Sequence, residues 1–175
     1  MAKATKYSGT QTEKNLEAAF AGESQANRKY LAFAKQAEAD GYPEIAKLFR
    51  AAAEAETIHA LAHFKVAGGI KSTAENLQAA ISGENYEHTE MYPEFIKEAE
   101  SEGNKAAVRT FSYANEVEKV HEALYKAAAE VLASGKDLGA KKLYICPVCG
   151  DLEYGEPPEV CPVCGAKGSV FKEVL

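Results

Sequence analysis

The feature that most constrains the fold is an internal repeat of helix-forming sequence. The segment NLEAAFAGE (residues 15–23) returns as NLQAAISGE (residues 76–84) at an offset of 61, and ETIH (residues 56–59) returns as EKVH (residues 118–121) at an offset of 62. Common ancestry alone would not keep Glu and His in register. The repeat therefore predicts two copies of one helical hairpin that contribute to a shared site.

Four long helices are predicted for the first three quarters of the chain. Capping boxes at Thr10 and Ser72, a proline at position 43 and glycines after each segment place their ends. Pro93 lies inside the third segment and should kink it. Long alanine-rich helices with short joints indicate a mainly α protein built on a four-helix bundle. The predicted helices cover residues 10–40, 43–67, 72–103 and 104–134.

Six acidic and imidazole side chains occupy matching positions of the repeat. A Glu-x-x-His pair places both side chains on one helix face. One such pair on each of two helices, with a Glu from each of the other two, is the arrangement that binds two iron or manganese ions in a bundle. A single pair would ordinarily be a solvated polar face, but two in register favour a di-metal site. The predicted ligands are Glu23, Glu56, His59, Glu84, Glu118 and His121.

Glu87 breaks the symmetry of the repeat. Its counterpart at an offset of 61 is Ala26, so the second half offers one more carboxylate than the first. The spacing from Glu84 directs Glu87 toward the metals, which predicts a seventh ligand and two inequivalent ions.

Other polar side chains are weaker candidates. Tyr30 and Tyr92 are spaced to approach the site, where a phenol can hydrogen-bond a ligand carboxylate. His63 has no counterpart in the other half and is expected to support the ligands, while His88 is expected to face solvent. The residues predicted to take part in catalysis are Glu87, His59, Tyr30 and Tyr92.

All four cysteines lie in two CPVCG turns, at residues 146–150 and 161–165. Two Cys-x-x-Cys turns at this separation indicate one ion held by four thiolates rather than a disulfide framework. Zinc and iron both accept this ligand set. The surrounding sequence is short-stranded and rich in turns. The predicted domains are residues 1–142, ending in a linker at 135–142, and residues 143–175.

Composition limits the partners. The net charge of −6 argues against nucleic acid and against an anionic membrane surface. No apolar run approaches the ~18 residues of a membrane span, and the N-terminal sequence has no apolar core of a signal peptide. These features predict a cytoplasmic protein.

Together these motifs resemble the rubrerythrin family over essentially the whole chain. The resemblance rests on GE (22–23), ExxH (56–59), GENYE (83–87), MYP (91–93), ExxH (118–121) and both CPVCG turns. It implies a ferritin-like di-iron bundle, and a rubredoxin-like module with one iron on Cys146, Cys149, Cys161 and Cys164. It also implies reduction of hydrogen peroxide to water in oxidative-stress defence. In this family one iron is thought to exchange between the ligands that correspond to His59 and Glu87.

The joint between the second and third helices is short for this fold. In a ferritin-like bundle these helices are parallel, and the helical segments from Glu56 to Ala67 and from Ser72 to Glu84 total roughly 34 Å. The five residues from Ala67 to Ser72 span at most ~18 Å. The sequence therefore predicts a homodimer in which helices one and two pack against helices three and four of another chain.

The expected activity is that of a di-iron peroxidase. Electrons would come from an external donor, such as a rubredoxin or its reductase, through the thiolate-bound iron. Two alternatives stay open at this point: a ferroxidase or iron-storage protein, and a zinc-ribbon module used for protein contacts.

Overall fold

The computed structural model describes residues 9–175 and confirms a mainly helical fold with a small C-terminal β module. Residues 1–8, which include part of the N-terminal segment that was expected not to be a signal peptide, lie outside the described residues. Within residues 9–175, no helix is long and apolar enough to cross a membrane. The helices are α1 (Gln11–Ala39), α2 (Pro43–Val66), α3 (Thr73–Tyr86), α4 (Tyr92–Ser101) and α5 (Lys105–Ala133).

The chain divides into two compact units, the first ending at Lys71 and the second covering Ser72–Leu175. In the first unit α1 and α2 form an antiparallel hairpin whose packed face is lined by alanines. Ala34, Ala37 and Ala46 form a buried cluster against Phe49. Such small side chains let two helices approach closely, so the hairpin is tight although it buries few large residues.

Local sequence signals determine where the helices begin. Ser72 caps α3 with a complete capping box, because its hydroxyl accepts the Glu75 amide and the Glu75 carboxylate returns to the Ser72 amide. The hydroxyl of Thr10 accepts the Glu13 amide in the same way at α1. Pro43 is the first residue of α2, where its missing N–H costs nothing.

The third long helix is not continuous. Between α3 and α4 the backbone forms a π segment, Glu87–Met91, in which the Tyr92 N–H bonds to the Glu87 carbonyl five residues back. The sequence predicted a kink at Pro93. The irregularity instead begins before the proline, which occupies the first turn of α4.

One inserted residue accounts for the π segment. Glu23 and Glu84 are 61 residues apart, whereas Tyr30 and Tyr92 are 62 apart. The second copy of the repeat therefore gains one residue between these points, where the π segment lies. A π turn accommodates one extra residue in a helix without ending it.

An aromatic triad recurs in each half. Tyr30, Phe33 and Phe49 pack with ring centroids 5.6–6.3 Å apart in the first unit. The residues 62 positions later, Tyr92, Phe95 and Phe111, pack with the same range of separations in the second. The repeat thus extends from the polar residues to the packing beside them.

The C-terminal module is a small antiparallel sheet. Its strands β1 (Leu143–Ile145), β2 (Leu152–Tyr154) and β3 (Lys172–Glu173) are arranged in the order β2-β1-β3. Its buried core consists of Cys146, Cys161 and Phe171. A core of this size cannot stabilise the module alone, so a bound metal is expected to supply much of its stability.

Candidate metal centres

The first unit brings together three of the predicted ligands. Glu23 from α1 and Glu56 and His59 from α2 each offer a ligand atom, and these atoms lie within 4.8 Å of one another. The imidazole Nδ1 of His59 is 2.9 Å from Oε2 of Glu56. Asn27, one turn after Glu23, donates to the Ala53 carbonyl and the Thr57 hydroxyl of α2. This bridge fixes the position of α1 relative to α2 beside the ligands.

The second unit brings together the corresponding three residues, Glu84 from α3 and Glu118 and His121 from α5. Nδ1 of His121 is 2.7 Å from Glu118 and 3.9 Å from Glu84. Its side chain is 21% exposed, against 54% for His59. The two groups are therefore equivalent in composition but differ in how firmly the imidazole is enclosed.

The electrostatics of the second group favour a bound cation. Burial raises the pKa of Glu84, and the charge of Glu118 together with a hydrogen bond between the two carboxyl groups raises it further. Burial also raises the pKa of Glu87, with Glu84 adding to the effect. Without metal these acids must hold a proton or repel one another, and divalent cations remove that cost. The donor set therefore fits the di-metal site expected from the sequence.

The four cysteines form a second potential site. Sγ of Cys146 is 3.7 Å from that of Cys164, and Sγ of Cys149 is 3.6 Å from that of Cys161. These distances exclude disulfides. They match the roughly 3.8 Å between ligands of a tetrahedral ion with metal–sulfur bonds of about 2.3 Å.

The two CPVCG turns have matching backbone geometry. The Gly150 amide bonds to the Cys146 carbonyl and the Gly165 amide to the Cys161 carbonyl, at 2.9 and 3.0 Å. Both glycines have positive φ, of 96° and 74°, which other residues adopt only with strain. Burial opposes ionisation of Cys146, but hydrogen bonds from the amides of Cys149 and Val148 and from the thiols of Cys149 and Cys164 together lower the pKa of that thiol.

Comparison with known proteins gives a consistent result. Residues 14–129 match the family described as Rubrerythrin, and residues 144–172 match "Rubrerythrin, rubredoxin-like domain". The chain is 41% identical to Rubrerythrin-2 of Clostridium acetobutylicum over 171 residues, covering 90% of this chain and 93% of the relative. The chain belongs to the rubrerythrin family.

Further relatives agree. Nigerythrin of Nitratidesulfovibrio vulgaris is 40% identical over 167 residues, covering 87% of this chain and 81% of that protein. The solved structure titled "Fully reduced state of nigerythrin (all ferrous)" matches with a TM-score of 0.57 at 38% identity, covering 99% of this chain and 92% of the other. Members of the rubrerythrin family are di-iron oxidoreductases of oxidative-stress defence. Both carboxylate–imidazole groups and the cysteine cluster supply the matching cofactor sites here.

The remaining predicted residues of this rubrerythrin-family chain differ in their surroundings. Burial raises the pKa of the Tyr92 phenol, and the charges of Glu87, Glu118 and Glu84 raise it further. Tyr30 packs on aromatic rings. Glu87 is half-buried but does not join the tight three-residue group. The catalytic roles predicted for these residues, and the role of His63, stay predictions.

The expectation that His88 faces solvent is wrong. Its side chain is 14% exposed, and its Nε2 lies 3.2 Å from Oε2 of Glu122, which is also buried. His88 lies three residues after Asn85 and four after Glu84, so helical spacing places it on the face that carries these residues. Its counterpart in α1 at an offset of 61, Asn27, likewise bonds to the neighbouring helix.

A second contact that the sequence did not predict involves His121. While Nδ1 faces the carboxylates, Nε2 is 3.3 Å from the backbone carbonyl of Gly150, the residue after Cys149. A carbonyl only accepts, so Nε2 carries a proton in this bond, and Nδ1, which faces Glu118, is the nitrogen that would bind a metal. The side chain of Val117 lies 3.7 Å from the position that a Cβ on Gly150 would occupy, so the turn packs closely on α5.

Proposed function

We propose that this protein is a peroxidase that reduces hydrogen peroxide to water at its carboxylate–imidazole centre, with electrons entering through the four-cysteine site. The observation that carries the proposal is the position of His121. One imidazole connects the two sites within one compact unit, because its Nδ1 faces Glu118 and its Nε2 bonds to the carbonyl of Gly150. When bound, the iron ions supply redox chemistry that protein side chains lack.

The metals would be held by the residues of the two carboxylate–imidazole groups and by the four cysteines. Glu56 and Glu118 would each contribute a carboxylate to the centre, and Glu87 would be an additional ligand that the first half of the repeat lacks. His59 and Glu87 are proposed as alternative ligands that would hold the same iron. Within residues 9–175 the structure gives His59 a hydrogen bond from Nδ1 to Glu56 but no counterpart of the bond that holds Nε2 of His121, which supports this role.

Reduction of peroxide to water also consumes protons, and this chain has groups that can hold them. Glu84 and Glu87 have raised pKa values because they are buried and close to other carboxylates. Burial and the charges of Glu87, Glu118 and Glu84 also raise the pKa of the Tyr92 phenol. We assign proton delivery to this cluster, which is half-buried and so holds protons without being open to bulk water.

We also propose that the working protein is a homodimer in which each di-metal centre combines α1–α2 of one chain with α3–α5 of the other. Each unit alone carries three ligands. The α1–α2 hairpin leaves apolar side chains exposed that a four-helix bundle would bury: Phe33, Ile45, Leu48, Ile58 and Leu61. The repeated glycines Gly22 and Gly83 have open space where a Cβ would be. A helix of a second copy would cover the apolar side chains and pack into the open space beside the two glycines.

The proposed activity is tested by mixing anaerobically reduced, iron-loaded protein with either hydrogen peroxide or oxygen and following reoxidation by stopped-flow absorbance. We expect peroxide to react faster. Glu87→Ala should retain part of its iron but turn over peroxide slowly, whereas Glu90→Ala, an exposed carboxylate in the same π segment, should behave like the unmodified protein. Unchanged turnover in Glu87→Ala would remove that residue from the mechanism.

The same experiment separates the alternatives. Faster reoxidation by oxygen favours a ferroxidase or iron-storage protein. A colourless protein with zinc in the cysteine site favours an interaction module. The electron route is tested with zinc in the cysteine site and iron in the bundle: a single reoxidation by peroxide should survive, while continuous turnover with a reduced rubredoxin as donor should stop. Continued turnover would refute the route. The expected compartment remains the cytoplasm.

A further inference from the structure

A polar cluster around one buried carboxylate joins α3 and the π segment to α5 beside the metal ligands. Its centre is Glu122, which is 8% exposed. One carboxylate oxygen of Glu122 accepts hydrogen bonds from Asn85 at 2.9 Å and Lys126 at 2.8 Å, and the other lies 3.2 Å from Nε2 of His88. We call these four residues the Glu122 clamp.

The clamp lies next to the proposed ligands in sequence as well as in space. Asn85 follows Glu84, and His88 follows Glu87, so both neighbours belong to the helix that carries these carboxylates. Glu122 itself follows His121 on α5. A displacement of any clamp residue along its helix would therefore move the adjacent ligand.

The hydrogen bonds to Glu122 stabilise its charged form. Nitrogen atoms of Lys126, Asn85 and His88 lie 2.8, 2.9 and 3.2 Å from its carboxylate oxygens. A buried carboxylate with three donors has little freedom to move, because any displacement leaves a charge without a partner. The cluster is thus suited to fixing one helix relative to the other.

The first half of the repeat bridges its helices differently, through Asn27 at the position of His88, and it has no carboxylate at the position of Glu122. The residues that correspond to Glu122 and Lys126 are Ala60 and Phe64, and the residue that corresponds to Asn85 is Ser24. The hydroxyl of Ser24 bonds within its own helix to the Phe20 carbonyl. α1 is also a continuous α-helix. The polar cluster therefore occurs in the half of the repeat that gained a residue and a π segment.

We infer that Glu122 is a positioning residue for Glu87: through His88 and Asn85 it holds the π segment against α5, and thereby holds the Glu87 carboxylate where a metal can use it. A π turn has wider and less regular hydrogen bonding than an α turn. The π segment therefore depends on contacts outside its own backbone, and Glu122 bonds to it at His88, the residue after Glu87. The inference rests on the proposed ligand role of Glu87.

The alternative is that Glu122 merely stabilises the fold. The two readings differ in what depends on Glu87. If the clamp positions Glu87, the loss of Glu122 should weaken metal binding only when Glu87 is present. If the clamp is structural, its loss should have the same effect with or without Glu87.

The test uses the full chain with zinc in the cysteine site and measures Mn(II) binding by electron paramagnetic resonance. Glu122→Gln keeps the size of the side chain but removes its charge and one of its two acceptors. We expect about 10-fold weaker Mn(II) binding, the lower end for residues that orient metal ligands. Glu130→Gln makes the same change at an exposed site on α5 and should leave Mn(II) binding unchanged.

The deciding measurement is a double-mutant cycle with Glu87→Ala. Glu122→Gln should have no further effect on Mn(II) binding in that background. An equal loss in both backgrounds, or a lower unfolding temperature with unchanged Mn(II) binding, would overturn the inference. His88→Ala should reproduce the loss, and it decides the matter if Glu122→Gln does not fold. If Mn(II) binding is weaker in Glu87→Ala but unchanged in Glu122→Gln, the positioning role of Glu122 is overturned and the ligand role of Glu87 stands. If Mn(II) binding is unchanged in Glu87→Ala, the ligand role of Glu87 itself is refuted.

Discussion

Changing the length of the joint between α2 and α3 should change the oligomeric state. Glu56 lies ten residues before the end of α2, and Glu84 lies eleven residues after the start of α3. A chain that paired its own two ligand groups with these helices parallel would have to cover roughly 31 Å between the helix ends. The joint cannot do so, for a reason visible in its hydrogen bonds.

The first residues of the joint are held in a helical cap. The Gly68 amide bonds to Lys65 and the Gly69 amide to Phe64, at 3.0 and 2.9 Å. From Gly69 to Thr73 the chain can therefore reach at most about 14 Å. Inserting two residues raises this to roughly 21 Å, which is still too short. Inserting ~20 glycine and serine residues gives a flexible connection with a typical span of about 27 Å and ample reach.

We expect the unmodified protein and the two-residue variant to be dimers and the long variant to become a monomer that keeps its metals. A flexible linker gives an effective concentration of about a millimolar, ~1000-fold above a micromolar sample, so intramolecular pairing should win. Sedimentation velocity of manganese-loaded protein measures this directly. A fully loaded monomer of the unmodified chain at nanomolar concentration, or the same oligomeric state for both insertions, would refute the reasoning.

Mixing two inactive variants provides an independent check. Glu56→Ala disables the first unit and Glu118→Ala the second. In an exchanged dimer of one chain of each kind, one centre receives both changes and the other receives neither. Co-expression should therefore restore about a quarter of the centres, by random pairing of closed dimers. No restoration would mean that each chain completes its own centre.

Two further predictions concern stability. Asn27→Ala should lower the free energy of unfolding by about 1–3 kcal/mol, because it removes the hydrogen bonds of Asn27 to α2. Urea unfolding of the metal-free chain measures this change, with Gln25→Ala at an exposed site as the control. An unchanged unfolding midpoint for Asn27→Ala would contradict the prediction. The raised pKa values of Glu84 and Glu87 mean that the metal-free folded state binds more protons than the unfolded state, so its stability should fall as pH rises from 4.5 through those values. Thermal scans at several pH values should show this slope without metal and lose it with Mn(II), and a stability that rises with pH across that window would refute the assignment.

The sequence predicted the features that depend on local pattern. Ser72 and Pro43 begin helices through effects within one turn, so the starts of α2 and α3 could be placed from the sequence. The ligand groups could be predicted because Glu-x-x-His spacing on a helix brings both side chains to one face. The cysteine cluster followed from spacing for the same reason.

Features that depend on packing between elements could not be predicted in this way. The bond of His88 joins it to Glu122, which lies 34 residues later in the chain. The bond from His121 to Gly150 requires the cysteine turn to lie against α5. Neither contact has a periodic signal. The one-residue change in the repeat offset was visible in the sequence, but only the folded backbone shows that it forms a π segment.

The hydrogen bond between His121 and Gly150 has a consequence for anyone who divides this chain into parts. The C-terminal module has the size and cysteine pattern of an interchangeable cassette. Yet its backbone supplies the acceptor that holds one imidazole in a single tautomer and a single ring orientation. A bundle expressed without residues 143–175 would leave that ring free to flip. A foreign module of the same ligand type would have to present a carbonyl at the same place. The natural cutting point in the sequence is therefore a poor one for preserving the metal chemistry of the bundle.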